Sequence, residues 1–282
     1  MSATPKLVGF AVALGVVFGA AALAGGAVGP LREEAETAKP HAGGMESEDH
    51  GGEAAQPVRG LAVSDRGLTL KLARTRFERD TPSRLAFRIL DRRGRAVRDF
   101  DVEHTKRMHV IVVRRDMTGF QHLHPTQAAD GTWSVPVTLR DAGSYRVFAD
   151  FSANGTPHTL ADDLSVDGQV GSRDLPTPVG SVDVDGLRVS LSQGASRAGA
   201  ESQLGFAVTR DGKPVQAEEY LGARGHLVAL RQGDLAFLHV HPDEDSLRFM
   251  ATFPTAGAYR LFLQFKVDGR VHTAAFTQEV SR

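Results

Sequence analysis

Three observations predict an all-β protein built from two tandem β-sandwich domains. The first is an internal repeat relating residues 60–167 to residues 180–282. Asp141-Ala-Gly-Ser-Tyr-Arg-Val-Phe148 matches Thr255-Ala-Gly-Ala-Tyr-Arg-Leu-Phe262, Asn154-Gly155 matches Asp268-Gly269, His158 matches His272, and the stretch 94–97 matches 212–215. The second is a run of short segments whose apolar residues alternate with a period of two. In the first copy they fall at Leu68–Arg74, Arg84–Leu90, Met108–Arg114, Phe120–His124, Thr132–Leu139, Gly143–Phe151 and Thr156–Val166. The third is that no stretch after residue 30 carries a helical period. Short strands at this density are the signature of a sandwich.

Taken in order, the chain opens with Leu7–Val28, 22 residues without a charge. That is long enough to cross a bilayer, and Ala24-Gly-Gly-Ala27 also resembles a cleavage region. Residues 1–30 therefore read as a membrane anchor or a signal segment, and either one exports the remainder of the chain. Lys6 on the short N-terminal side agrees with the positive-inside tendency. Residues 31–59 hold seven acidic and three basic residues without an apolar period, the composition of a disordered tether. His41, Met45 and His50 within it read first as incidental residues of a solvated linker, and as a loose metal-capturing segment second. Residues 168–179, with Pro176 and Pro178, form a short linker between the two repeats.

Within each repeat, Tyr145 and Tyr259 follow an Ala-Gly pair in the way of the tyrosine corner that opens strand F of immunoglobulin-like domains. Asn154-Gly155 and Asp268-Gly269 then make type I′ turns of the next hairpin. That register sets His158 opposite Phe151 and His272 opposite Phe265. The fold class is thus two immunoglobulin-like sandwiches behind an N-terminal helix.

The candidate chemistry lies in the histidines. His109, His122 and His124, closed by Pro125, recur as His226, His239 and His241, closed by Pro242, at identical spacing. With hairpin turns at Arg115-Asp116 and Gln232-Gly233, His109 lies opposite His122 and His226 opposite His239. His124 and His241, two residues on, share that face. The same face continues into Ile111 and Phe120, and into Val228 and Phe237, which places the imidazoles at the edge of each domain's core. Immunoglobulin-like topology brings His158 and His272 to the same rim. The expected metal ligands are therefore His109, His122, His124 and His158, then His226, His239, His241 and His272.

Composition narrows the ion. The 282 residues contain no cysteine, so thiolate ligands, disulfides and a Cys nucleophile are excluded. Imidazole donors favour copper, as Cu(II), or zinc. A net charge of −1 without a basic stripe argues against nucleic acid. No Ser/His/Asp arrangement, carboxylate pair or phosphate-cradling loop stands out, and His122-Leu-His124 lacks the nearby glutamate of a cupin motif, so a binding protein is expected rather than an enzyme. The other reading is an envelope scaffold whose histidines are structural.

The paired His…His-x-His-Pro units behind a membrane segment resemble bacterial exported proteins linked with heavy-metal handling, of the YtkA-like and CopC-like copper-associated kind. The resemblance covers about residues 60–282. It implies copper binding in the cell envelope, with His109, His122, His124 and their counterparts as ligands and an envelope metal-transport protein as partner.

Overall fold

In the computed structural model, residues 58–282 are described except for Gly194, Asp243 and Glu244, and except for the side chains of Gln193, His239, His241 and Pro242. The expected anchor over residues 1–30 and nearly all of the tether lie outside the described residues. Among the described residues no helix is long and apolar enough to cross a membrane.

The first repeat comprises β1 (Ser64–Asp65), β2 (Leu68–Leu72), β3 (Arg76–Phe77), β4 (Ser83–Leu90), β5 (His109–Arg114), β6 (Gln121–Leu123), β7 (Thr126–Gln127), β8 (Trp133–Val137), β9 (Gly143–Ala153) and β10 (Thr156–Val166). The second comprises β11 (Ser181–Val184), β12 (Leu187–Gln193), β13 (Ser196–Arg197), β14 (Glu201–Arg210), β15 (Lys213–Val215), β16 (Gly225–Arg231), β17 (Phe237–His239), β18 (His241–Pro242), β19 (Arg248–Thr252), β20 (Gly257–Val267) and β21 (Arg270–Ser281). Each repeat forms two sheets. In the first these run β1-β2-β4-β8-β7 and β3-β10-β9-β5-β6; in the second, β11-β12-β14-β19-β18 and β13-β21-β20-β16-β17. The short β3 and β13 run parallel to the last strand of their repeat, and the other pairings among the described residues are antiparallel. Two stacked sheets per repeat make the tandem sandwich that the alternating pattern predicts.

The local signals hold in both copies. Tyr145 Oη donates to the Asp141 carbonyl at 2.8 Å and Tyr259 Oη to the Thr255 carbonyl at 3.0 Å, so each corner is closed. Asn154 and Gly155, like Asp268 and Gly269, have positive φ, as a two-residue I′ turn requires. The resulting registers pair His158 with Phe151 and His272 with Phe265, as the sequence reading has them. Trp133 lies in the core, its ring edge-on to Phe100.

Two expectations need correction. The hairpin register is displaced by two residues: His122 lies opposite Ile111, and His239 opposite Val228. The turn is longer than two residues because Asp116 organises it, accepting the Thr118 N–H and pairing with Arg114 while Met117 and Gly119 take positive φ. Asp234, Arg231 and Leu235 do the same in the second copy. A slip of two preserves the face on which every side chain points.

The second correction concerns that face. Val110 and Val112 point into the first core, with Leu85, Phe87 and Tyr145. Ile111, Val113, Met117 and Phe148 point the other way and meet Val228, Leu230, Phe237 and Phe262 of the second repeat in a separate buried cluster. The histidine face therefore borders the junction between domains, not the core of either. This is why β5 is buried at every position. The contacts are reciprocal: Phe120 stacks on Phe262 at 4.1 Å, and its counterpart Phe237 meets Phe148 at 5.4 Å. Such exchange of equivalent residues is what a pseudo-two-fold axis produces. Arg59, which the sequence assigns to the tether, is bridged to Phe237.

Candidate metal centre

Three strand-end features bring His109, His122 and His124 together. His109 opens β5, on the face opposite Met108, which is buried in the core. His122 sits in β6, antiparallel to β5. His124 follows the end of β6, where the chain leaves one sheet and enters the other as β7 at Thr126. Pro125 at this crossing cannot donate to a ladder, so it ends the first pairing without leaving an orphan N–H. The second repeat changes sheets at the same point, between β17 and β18.

The three imidazoles offer ligand atoms within 4.8 Å of one another. Their ring centroids are 5.3, 5.1 and 4.8 Å apart for the pairs 109–122, 109–124 and 122–124. Four imidazoles bound tetrahedrally at 2.0–2.1 Å place centroids about 5 Å apart, so the spacing suits one ion.

Proton placement sharpens the geometry. His109 Nε2 lies 3.3 Å from the Glu103 carbonyl, which can only accept, so this nitrogen carries the proton and the lone pair falls on Nδ1. His122 Nδ1 lies 2.7 Å from Gln264 Oε1, while the amide nitrogen of Gln264 donates to Thr273. His122 thus donates through Nδ1 and keeps its lone pair on Nε2. These two lone pairs face each other across 3.1 Å. Nε2 of His124 is buried and has no hydrogen-bond partner. Nitrogens turned inward, with outward N–H groups held by carbonyl oxygens, form the arrangement seen around ligated metals.

Burial keeps these rings neutral. It is the main cause lowering His109, against the opposing pull of Asp150. Burial, then the neighbouring His109 and His124, lowers His122 to about 3. His124 falls to about 4 through burial and His109, and His226 to about 4 through burial, opposed by its bond to the Tyr220 carbonyl. Neutral imidazoles are the ligating form.

Of the other expected ligands, His158 and His272 do not join this group. They lie on the opposite face of their sheet, because their cross-strand partners are the inward Phe151 and Phe265 rather than Asp150 and Gln264. His158 stacks on Phe151 and places Nδ1 3.6 Å from Asp65. His272 stacks on Phe265, and its Nδ1 meets Asp185 at 2.8 Å. His226 does approach the triad, from the other domain, with its ring 6.4 Å from His122. His239 and His241 have described backbone only; they hold the register positions of His122 and His124.

Sequence reasoning missed Gln264 and Asp150, which occupy one position in the two copies, opposite His226 and His109. The available signal was a polar residue interrupting an apolar strand at the same point of each repeat, Phe-Ala-Asp-Phe and Phe-Leu-Gln-Phe. His104, which the sequence reading takes as structural because Leu221 stands nearest its place in the second repeat, is an exposed residue of positive φ whose ring lies 5.4 Å from that of His226.

The family described as Domain of unknown function (DUF8832) matches residues 62–168 and again 182–282. No curated protein matches the sequence. Among solved structures, the Escherichia coli adhesin FdeC is similar at 16% identity and a TM-score of 0.28, over 78% of this chain and 66% of that one. Trypsin-activated alpha-2-macroglobulin from Escherichia coli is similar at 11% identity and a TM-score of 0.28, over 80% of this chain and 16% of that one. A chimeric titin Z1Z2 gives 13% identity and a TM-score of 0.22, over 76% and 95%. The chain therefore spans less than two thirds of the first two.

Proposed function

The chain belongs to the DUF8832 family through two copies of its domain, and we propose that it is an exported, membrane-tethered metal-binding protein of the cell envelope. It holds copper or zinc for storage, delivery or sensing, and exchanges the ion with an envelope metal-transport partner. One observation carries this reading: the inward lone pairs of His109 and His122, 3.1 Å apart, beside the unpartnered Nε2 of His124. Facing lone pairs repel, and burial opposes the proton that would relieve them. A divalent cation relieves the repulsion and satisfies all three nitrogens at once.

The donor set is nitrogen only, which favours Cu(II) or Zn(II) over a thiolate-loving ion. Export rests on the uncharged 22-residue run at the N-terminus. The YtkA-like and CopC-like resemblance agrees with copper.

The test is a calorimetric titration of the full-length chain in detergent with Cu(II) and with Zn(II), beside a His122→Ala/His239→Ala double variant. The expected result is tight binding by the natural chain and loss of at least one equivalent in the variant. Stoichiometry unchanged by the double substitution would favour the scaffold reading, in which these rings only hydrogen-bond across the junction.

A further inference from the structure

The triad leaves one corner of a tetrahedron open, and an imidazole of the other domain stands near it. His226 is the second residue of β16, and His109 is the first of β5. It is 8% exposed, as is His109. Its Nε2 lies 2.8 Å from the Tyr220 carbonyl, so that nitrogen carries the proton and the lone pair falls on Nδ1, the same tautomer that Glu103 imposes on His109. His226, His109 and His122 line one cavity of about 50 Å³ at the domain junction. That is room for one or two water molecules or an ion with a short coordination sphere.

We propose that His226 supplies the fourth ligand, so that one ion is held by His109, His122 and His124 from the first domain and His226 from the second. This rests on the reading of the triad as a metal centre and extends it from a site within one domain to a site shared by two. His226 is not within 4.8 Å of all three triad nitrogens, so its ring must move inward to share the ion. The His122 and His226 centroids are 6.4 Å apart, against the roughly 5 Å expected of tetrahedral imidazoles, and a side-chain rotation covers a difference of that size. His104 is the other described histidine near this corner, 6.4 Å from His109 and 5.4 Å from His226, and unlike His226 it is exposed.

A four-histidine site has no position for water or substrate, so it holds its ion rather than using it in a reaction. An ion bridging the domains also binds the docked arrangement alone, so occupancy and docking stabilise each other.

Cobalt(II) is the probe, because its visible spectrum reports coordination. The full-length chain in detergent is titrated with Co(II), then with azide, for the natural sequence and for His226→Ala, His226→Gln and His124→Ala. His226→Gln keeps an amide able to donate to the Tyr220 carbonyl, and circular dichroism with thermal melting establishes that each variant is folded. The expected result is a natural-sequence spectrum that azide does not change. Both His226 variants then bind Co(II) at least tenfold more weakly, with a spectrum that azide shifts because a position has opened. A natural site that already takes azide, or His226 variants with unchanged affinity and spectrum, overturns the shared site and leaves the triad standing. Failure of the natural chain to bind Co(II), or equal binding by His124→Ala, removes the triad reading and this proposal with it.

Discussion

In the first repeat the residue across the sheet from the leading histidine is Asp150, held by a 2.6 Å bond from Thr159; in the second it is Gln264, whose amide nitrogen donates to Thr273. A few residues upstream, the left-handed turn carries His104-Thr105 in one copy and Leu221-Gly222 in the other. By contrast, Tyr145 and Tyr259, Phe151 and Phe265, and Val147 and Leu261 occupy matching places in the two cores. Core positions are held to one shape and polarity by close packing. The junction between the domains imposes less, and there the copies have diverged in charge. Gln264 is a neutral acceptor for His122, whereas the position of Asp150 offers a carboxylate to any group approaching from β17. Duplication has therefore left the two repeats with unlike groups at this position, a carboxylate in one and an amide in the other.

The strongest way to break the comparison is to remove the packing that sets the copies against each other. Phe262→Ala, which loses the stacking on Phe120 in the junction, is expected to cost about 3 kcal/mol or more, read by chemical denaturation. A smaller cost, with a biphasic melt, would show two domains that hardly depend on one another. Next in size is the contrast between histidines on the two faces of a sheet. His122→Ala is expected to weaken Zn(II) binding by about a hundredfold, whereas His272→Ala, remote from the triad and paired with Asp185, lowers the melting temperature and leaves binding unchanged. Equal losses of affinity in both would undo the separation of the two groups.

Gln264→Leu tests the asymmetry itself. With no acceptor for Nδ1–H, His122 is free to turn its proton inward, and Zn(II) affinity is expected to fall by about tenfold. Asp150→Asn leaves the His122 bond untouched and is expected to have a weaker effect on the same titration. Acid provides a further comparison. His109, His122, His124 and His226 all have folded-state values below the ordinary imidazole range, so the unfolded chain takes up protons first as the pH drops. Their contribution to stability is whole above pH of about 6.5 and is lost as the pH falls toward the folded values. Metal-free protein is expected to melt roughly 5 °C lower at pH 5 than at pH 7, and His122→Leu should flatten that dependence. The smallest effect should also be the most symmetric: Tyr145→Phe and Tyr259→Phe each remove a hydroxyl that makes two hydrogen bonds at its corner and are expected to cost about 1 kcal/mol apiece. A difference well beyond that between the two would show that the corners are not equivalent.

Much of this was legible in the residues alone. The strands of the first repeat follow from alternation, the two hairpin turns from Asn154-Gly155 and Asp268-Gly269, and the corners from Tyr145 and Tyr259. The shared face of His109, His122 and His124 follows from the two-residue period and survives the register slip, because a displacement by two does not change parity. His158 and His272 were separable from the triad by the same rule: a residue opposite Phe151 or Phe265 shares the inward face of the sheet.

The chain pattern by itself determined the repeat, the strands, the corners and the parity of the histidines, because these depend on neighbours close in sequence or on a period. Tertiary structure alone decided which face of each sheet is the core, that Ile111 and Phe120 meet the other domain, and that Gln264 and His226 stand beside a cluster more than a hundred residues away. A strand covered on both sides, such as His109–Arg114, is apolar throughout, and uniform apolarity carries no mark of which partner covers which face.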